Sequence, residues 1–262
     1  ASNNTAVGAL ALTANTTGGS SVAVGNNALD AQTTGNFNTA VGLNALTANT
    51  TASQNTAVGN HALESNTTAA SNTAVGSFAL RVNTTGAYNV AVGTKALDAN
   101  TEGDQNVAIG YDAMGVHTTG DYNVAIGGYA LDANTTASSN TAVGYNSMSA
   151  NVTGAGNTAL GSGALVLNTA SNNVAVGIDS LAANTTGTPN TALGRLALYS
   201  NTTAANNVAV GNSSLQVNTT GAQNTAVGTS ALDANTTASN SNAFGYNALG
   251  ANTTGAHNNA FG

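Results

Sequence analysis

Cysteine and tryptophan are absent from this 262-residue chain, proline occurs once, and only 5% of the residues carry a charge. Without cysteine there is no disulfide framework, and the redox compartment cannot be read from thiols. The aromatic share is 4%, and alanine supplies much of the 41% hydrophobic content, so a thick core of large side chains is excluded. Charged residues make up about 25% of typical soluble domains; here Asn, Thr, Ser and Gly must hold the surface in water. The few charges sum to −7, which argues against nucleic acid and anionic membranes, since both require basic patches. No apolar run approaches the ~18 residues of a membrane-spanning helix, so no membrane insertion is expected.

What the chain does contain is one phrase, repeated. A glycine closes it sixteen times, at Gly8, Gly25, Gly42 and onward to Gly262, and fourteen of the fifteen intervals are 17 residues long. The exception is the 16-residue step from Gly161 to Gly177, where one residue is missing between Thr169 and Asn173. The unit reads N-[TV]-A-[VILF]-G-x-x-A-L-x-A-N-T-T-[GA]-x-x, with positions numbered 1 to 17 from the first Asn. Such periodicity means that each copy finds its hydrophobic partner only in the next, which predicts one repeat-array domain over residues 1–262.

Within a copy, positions 2 and 4 are β-branched, as in Val90 and Val92, and this alternation predicts a short strand. Glycine at position 5 suits a sharp turn at positive φ, and positions 6 and 7 form a variable corner. The A-L-x-A-N run at positions 8 to 12 is read as a second short strand in preference to a helical turn. The T-T-[GA]-x-x stretch carries turn chemistry. The fold class is therefore all-β, a parallel β-solenoid with one copy per coil and about 16 coils. At parallel-strand spacing these would make a rod of roughly 75 Å.

Stacking in register turns positions into columns. Position 9 is a core column, with Leu in thirteen copies and Met114 and Met148 in two; Leu12, Leu29, Leu46, Leu63, Leu80 and Leu97 begin it. Position 12 is Asn in thirteen of fifteen copies, including Asn15, Asn49, Asn66, Asn83, Asn100 and Asn134, with Gln32 and His117 as departures. It forms either an amide ladder or a set of turn caps, and position 1 admits the same two readings. Position 3 is Ala in every copy. If its neighbours at 2 and 4 point inward, Ala6, Ala23, Ala40, Ala57, Ala74 and Ala91 point out as a subunit contact; otherwise the alanines fill a narrow edge of the coil. Neither the first nor the last copy carries a recognisable cap, which leaves three readings: end-to-end polymerisation, capping domains belonging to a longer protein, or capping by a partner.

The phrase N-T-A-[VIL]-G-x-x-A-L-x-x-N-T-T-G, seen with Ala in its last slot from Asn38 to Ala52 and from Asn123 to Ala137, resembles the tandem repeats of trimeric autotransporter adhesin heads and shafts and of tail-fibre-like surface proteins. Its N-[TV]-A-[VI]-G half is similar to the N-S-V-A-I-G phrase of left-handed β-roll heads. The resemblance covers the whole chain, although the 17-residue period exceeds the roughly fourteen residues of the adhesin head. It implies a homo-oligomer, either a trimer or an end-to-end filament, at a cell or virion surface or outside the cell.

Chemistry finds little purchase. His61, His117 and His257 fall in three different columns and cannot converge on a metal, and no nucleophile–base pair can be assembled, so the chain is not read as an enzyme. Asp104 and Asp121 lie one period apart, and two such carboxylates suggest a weak Ca²⁺ site against the plainer reading of a solvated acidic rim; no other cofactor is expected. The Asn-Thr-Thr sequons are explained by the repeat, and burial of position 12 would shield them. The expected function is a non-catalytic extracellular structural rod that self-associates into a fibre, filament or adhesive appendage. The alternatives are an ice-binding solenoid, for which the Thr residues at 13 and 14 offer only a single outward file, and a receptor- or glycan-binding adhesin head displaying variable corners.

Overall fold

The computed structural model describes residues 2–262. The chain divides into two compact units, Ala1–Thr136 and Ala137–Gly262. The first holds eight three-residue strands, β1 (Thr5–Val7) to β8 (Val124–Ile126), and the second another eight, β9 (Thr141–Val143) to β16 (Asn259–Phe261). Within each unit the strands pair in parallel with their neighbours in sequence, and like positions face like: Thr39 opposes Thr56, Ala40 opposes Ala57 and Val41 opposes Val58. Each unit is thus a parallel β-solenoid with one copy per coil, as the periodicity predicts.

The strand wall is held from both sides. The position 2 N–H donates forward to the next coil, as Thr39 does to the Asn55 carbonyl at 2.9 Å, and the position 5 N–H donates backward, as Gly42 does to Val24 at 2.8 Å. Gly42 has φ +141, and a Cβ there would overlap the carbonyl oxygen of Gly59 one coil up. The same overlap recurs at Gly25, Gly59 and Gly194. Glycine is therefore required twice at position 5, by its own backbone conformation and by the glycine stacked above it.

Positions 8 to 12 are neither the expected strand nor a helical turn. The segment is a run of tight turns in which Ala45 N–H donates to the Gly42 carbonyl (3.4 Å) and Asn49 N–H to the Leu46 carbonyl (3.2 Å). Leu46 has φ +53, and every Leu or Met of the column from Leu12 to Leu249 lies between +50 and +56. A bulky residue in the left-handed region is uncommon. It is held there because Leu46 N–H reaches the Ala62 carbonyl of the next coil at 3.1 Å, while Leu29, Leu46, Leu63, Leu80 and Leu97 bury their side chains completely. Leu12, in the first coil, is half-buried. Tertiary stacking overrides local preference.

The alanine column also differs from its outward reading. Ala23, Ala40, Ala57, Ala74 and Ala91 are fully buried, and Ala6, in the first coil, is exposed. The coil is too thin to hold two walls of β-branched side chains, so the smallest residue of the strand turns inward against Leu and Asn, and the alanines are not a lateral contact surface. Positions 2 and 4 consequently face outward.

Candidate functional surfaces

Both asparagine columns are interior, and they converge. In the coil beginning at Asn38, the Asn38 Nδ2 and the Asn49 Nδ2 donate to the same Ala52 carbonyl at 2.8 and 3.1 Å. The pattern repeats at Ala69, which receives Asn55 and Asn66, and at Gly86, which receives Asn72 and Asn83. The remaining amide atoms run between coils. At position 12, Asn66, Asn83 and Asn100 each donate to the Oδ1 of the preceding Asn at 2.8 to 3.0 Å, which is the amide ladder, while the bonds to position 15 are the caps, so both readings hold at once. In the second unit the ladder joins Asn168, Asn184, Asn201, Asn218 and Asn235. The Asn15 side chain donates to Gly18, and its Oδ1 is buried without a partner.

The departures from Asn are instructive. Ser21, at position 1, is shorter, and in the same coil position 12 is the longer Gln32, whose Nε2 reaches the Ser21 Oγ at 3.4 Å and whose Oε1 accepts from Asn38 at 2.8 Å. His117 keeps the bond to position 15, with its Nε2 2.8 Å from the Gly120 carbonyl. A carbonyl only accepts, so Nε2 carries the proton. The Nδ1 of His117 and the Oδ1 of Asn100 are then buried acceptors without partners, and the ladder breaks there. Burial holds the His117 pKa below its ordinary value, against the opposing pull of the Gly120 and Asn134 backbone and of Asp121.

The acidic pair does not stand open. Asp104 Oδ1 accepts the Ala87 N–H at 2.6 Å, and Asp121 Oδ1 accepts the Asp104 N–H at 2.8 Å, the same role that Asn36 plays for Gly19. Among the described residues no group of three or more metal-ligating side chains assembles, and no pocket is present. His61 pairs with Glu64 at 2.9 Å and stacks on Phe78, far in sequence from His257. Arg81 lies over the Phe78 ring and pairs with Asp98 at 3.0 Å. Burial raises the Asp98 pKa and outweighs the Arg81 pull, and burial followed by the neighbouring Asp112 raises that of Asp132. These groups lie on the corner formed by positions 7 and 10.

Threonine divides by position. The position 13 hydroxyls donate to the next coil, as Thr50 does to the Thr67 carbonyl at 3.2 Å, and Thr33, Thr50 and Thr67 are half-buried, whereas Thr17, Thr34, Thr51 and Thr68 at position 14 are exposed in a single file. The Asn of each Asn-Thr-Thr sequon in the ladder is buried with its amide engaged. Tyr88 and Tyr122 stand exposed on the position 17 corner, and Gln105 between them donates to the Tyr122 hydroxyl at 3.3 Å.

The surface that sequence reasoning missed is the outer side of the strand wall. Val41 and Val58 are 36% exposed and Ile109 and Ile126 37%, each an apolar side chain standing in file with its copies. The signal was present in the sequence: no copy places a charged residue at position 2 or 4. No family model, curated protein or solved structure matches the chain.

Proposed function

We propose that this protein is a non-catalytic extracellular structural element that self-associates into a fibre, filament or adhesive surface appendage. One observation supports this above the rest: every coil presents the same set of backbone donors and acceptors to the coil above it and the same complementary set to the coil below. Thr50 N–H meets Thr67 just as Thr67 N–H meets Thr84, so any coil of one copy is a template for a coil of another. Exposed backbone of this kind is satisfied either by a cap or by more of the same ladder.

Imaging of the purified chain by negative stain, alongside sedimentation velocity, tests the reading. Particles much longer than one chain, lengthening with concentration, are expected; short monodisperse monomers at every concentration would defeat it. A second reading, a glycan-binding adhesin head, is favoured by the Tyr88, Gln105 and Tyr122 strip, whose rings and polar tips suit sugar faces. A glycan array in which Tyr88→Ala and Tyr122→Ala abolish the signal would support it.

A further inference from the structure

We infer that the outward side chains of positions 2 and 4 form a lateral contact by which a second copy of this chain packs, strand wall against strand wall. The inference rests on the self-association reading above and names its surface.

Composition is the first argument. Position 4 is Val, Ile, Leu or Phe in every copy, and position 2 is Val or Thr until Asn242 and Asn259. The chain's three basic and ten acidic residues all lie elsewhere: Arg81 and Asp98 on the position 10 corner, Lys95 at position 7, Asp104 at position 16. Wet sheet surfaces ordinarily carry Lys or Glu, which also discourage unwanted association. Here charged residues occur at positions 6, 7, 10, 14 and 16 and are kept off this wall. The net charge of −7 is thereby held away from the surface on which like copies would meet.

Pitch is the second. Register sets the outward side chains at parallel-strand spacing, about 4.8 Å. A partner that interdigitates over several coils must repeat at that pitch. The same wall of a second copy does so by construction, with its Val, Ile and Leu side chains entering the gaps between those of the first, as in dry sheet-to-sheet interfaces. A partner lacking the repeat could engage only one or two coils. Each coil adds a small identical increment, so the contact strengthens with the number of coils engaged.

The full chain provides the test. Val58→Lys, Val75→Lys and Val92→Lys combined add three charges to the wall, and Thr51→Lys, Thr68→Lys and Thr85→Lys add the same three to the exposed position 14 file. Assemblies of the unaltered chain and of the threonine variant are expected to be two chains wide in negative stain. The valine variant is expected to be one chain wide with its length unchanged, and its lateral dimer in sedimentation weakened at least tenfold. Circular dichroism checks that the variants stay folded; if the lysine variant does not, Val58→Thr, Val75→Thr and Val92→Thr, which keep strand propensity, must still weaken the lateral dimer. Two-chain width that survives every valine variant overturns the inference, as does an unaltered chain of single width at all concentrations. Thermal hysteresis that the valine variant abolishes would also overturn it, assigning the wall to ice. Loss of lengthwise growth alone counts against the fibre reading and leaves the width measurement decisive for the wall.

Discussion

At position 1 an asparagine oxygen accepts a backbone N–H of the next coil, as Asn38 does from Asn55 at 3.0 Å; at position 12 it accepts the side-chain amide of another asparagine, as Asn49 does from Asn66 at 3.0 Å. Both side chains are fully buried, and both share the position 15 carbonyl, yet one column secures the main chain and the other secures itself. The difference explains which substitutes each accepts. Ser21 and Ser241 still offer an oxygen to the N–H of Asn38 and Asn258, so serine serves at position 1. Position 12 keeps a long side-chain donor in both departures: the His117 Nε2 reaches position 15, and the Gln32 Nε2 reaches across the coil to Ser21.

Substitution should expose this asymmetry. Asn72→Ala strands the Asn89 N–H, which donates to Asn72 Oδ1 at 2.9 Å. An unpaired buried N–H together with the lost packing is expected to cost about 2–4 kcal/mol, read as lost hydrogen-exchange protection in the flanking coils. Asn83→Ala strands the Asn66 Oδ1 and leaves the Asn100 Nδ2 with its Gly103 bond alone, while Gly86 keeps its bond from Asn72; about 1–2 kcal/mol is expected, because no backbone group is stranded. Equal losses at the two sites would dissolve the distinction. Local exchange is the right readout because long repeat arrays depart from two-state unfolding.

The Ser21 and Gln32 pair allows a sharper comparison. Ser21→Asn alone crowds Gln32, and Gln32→Asn alone leaves Ser21 without its partner, whereas the double change restores the common coil. A double-mutant cycle should give a favourable coupling of about 1 kcal/mol; additivity would mean that the columns do not sense each other's length. His117→Asn should rejoin Asn100 to the ladder and stabilise by about 1 kcal/mol, by supplying the donor that its oxygen lacks. It should also remove a pH dependence. The folded His117 pKa lies below the unfolded value of about 6.5, so the unfolded chain binds more protons in that window, and stability present above it is lost as pH falls through the folded value. Thermal melts across mildly acidic pH should therefore flatten in the variant. The smallest effect is expected at Asp132. Its raised pKa means stability present below about 3.8 and lost as pH rises through the folded value, so Asp132→Asn should stabilise slightly at neutral pH, by a few tenths of a kcal/mol at so wet a corner.

The strand wall was legible from Thr39, Val41 and Gly42 because β-branched alternation and a closing glycine are local signals that register only amplifies. The turn wall was not. Leu46 at φ +53 contradicts every local preference of leucine, and its conformation follows from the bond to Ala62 one coil away, which no window of a single copy contains. Ala40 was ambiguous for a related reason: alternation says which residues share a side, but which side is interior depends on the thickness of a coil set by Leu46, Asn38 and Asn49 together. The Asn columns were legible as positions, and their convergence on one carbonyl was not, since it joins residues 14 and 3 apart.

The one short coil has a practical consequence. It lacks the residue at position 14, yet β10 (Thr158–Leu160) and β11 (Val174–Val176) keep like against like, and Thr169 still donates to Thr185 at 3.0 Å. Position 14 can thus be lost without shifting the register of the neighbouring coils, so it is where foreign peptide can be spliced into a chosen copy, displaying an epitope or enzyme tag at a spacing dialled in steps of one coil.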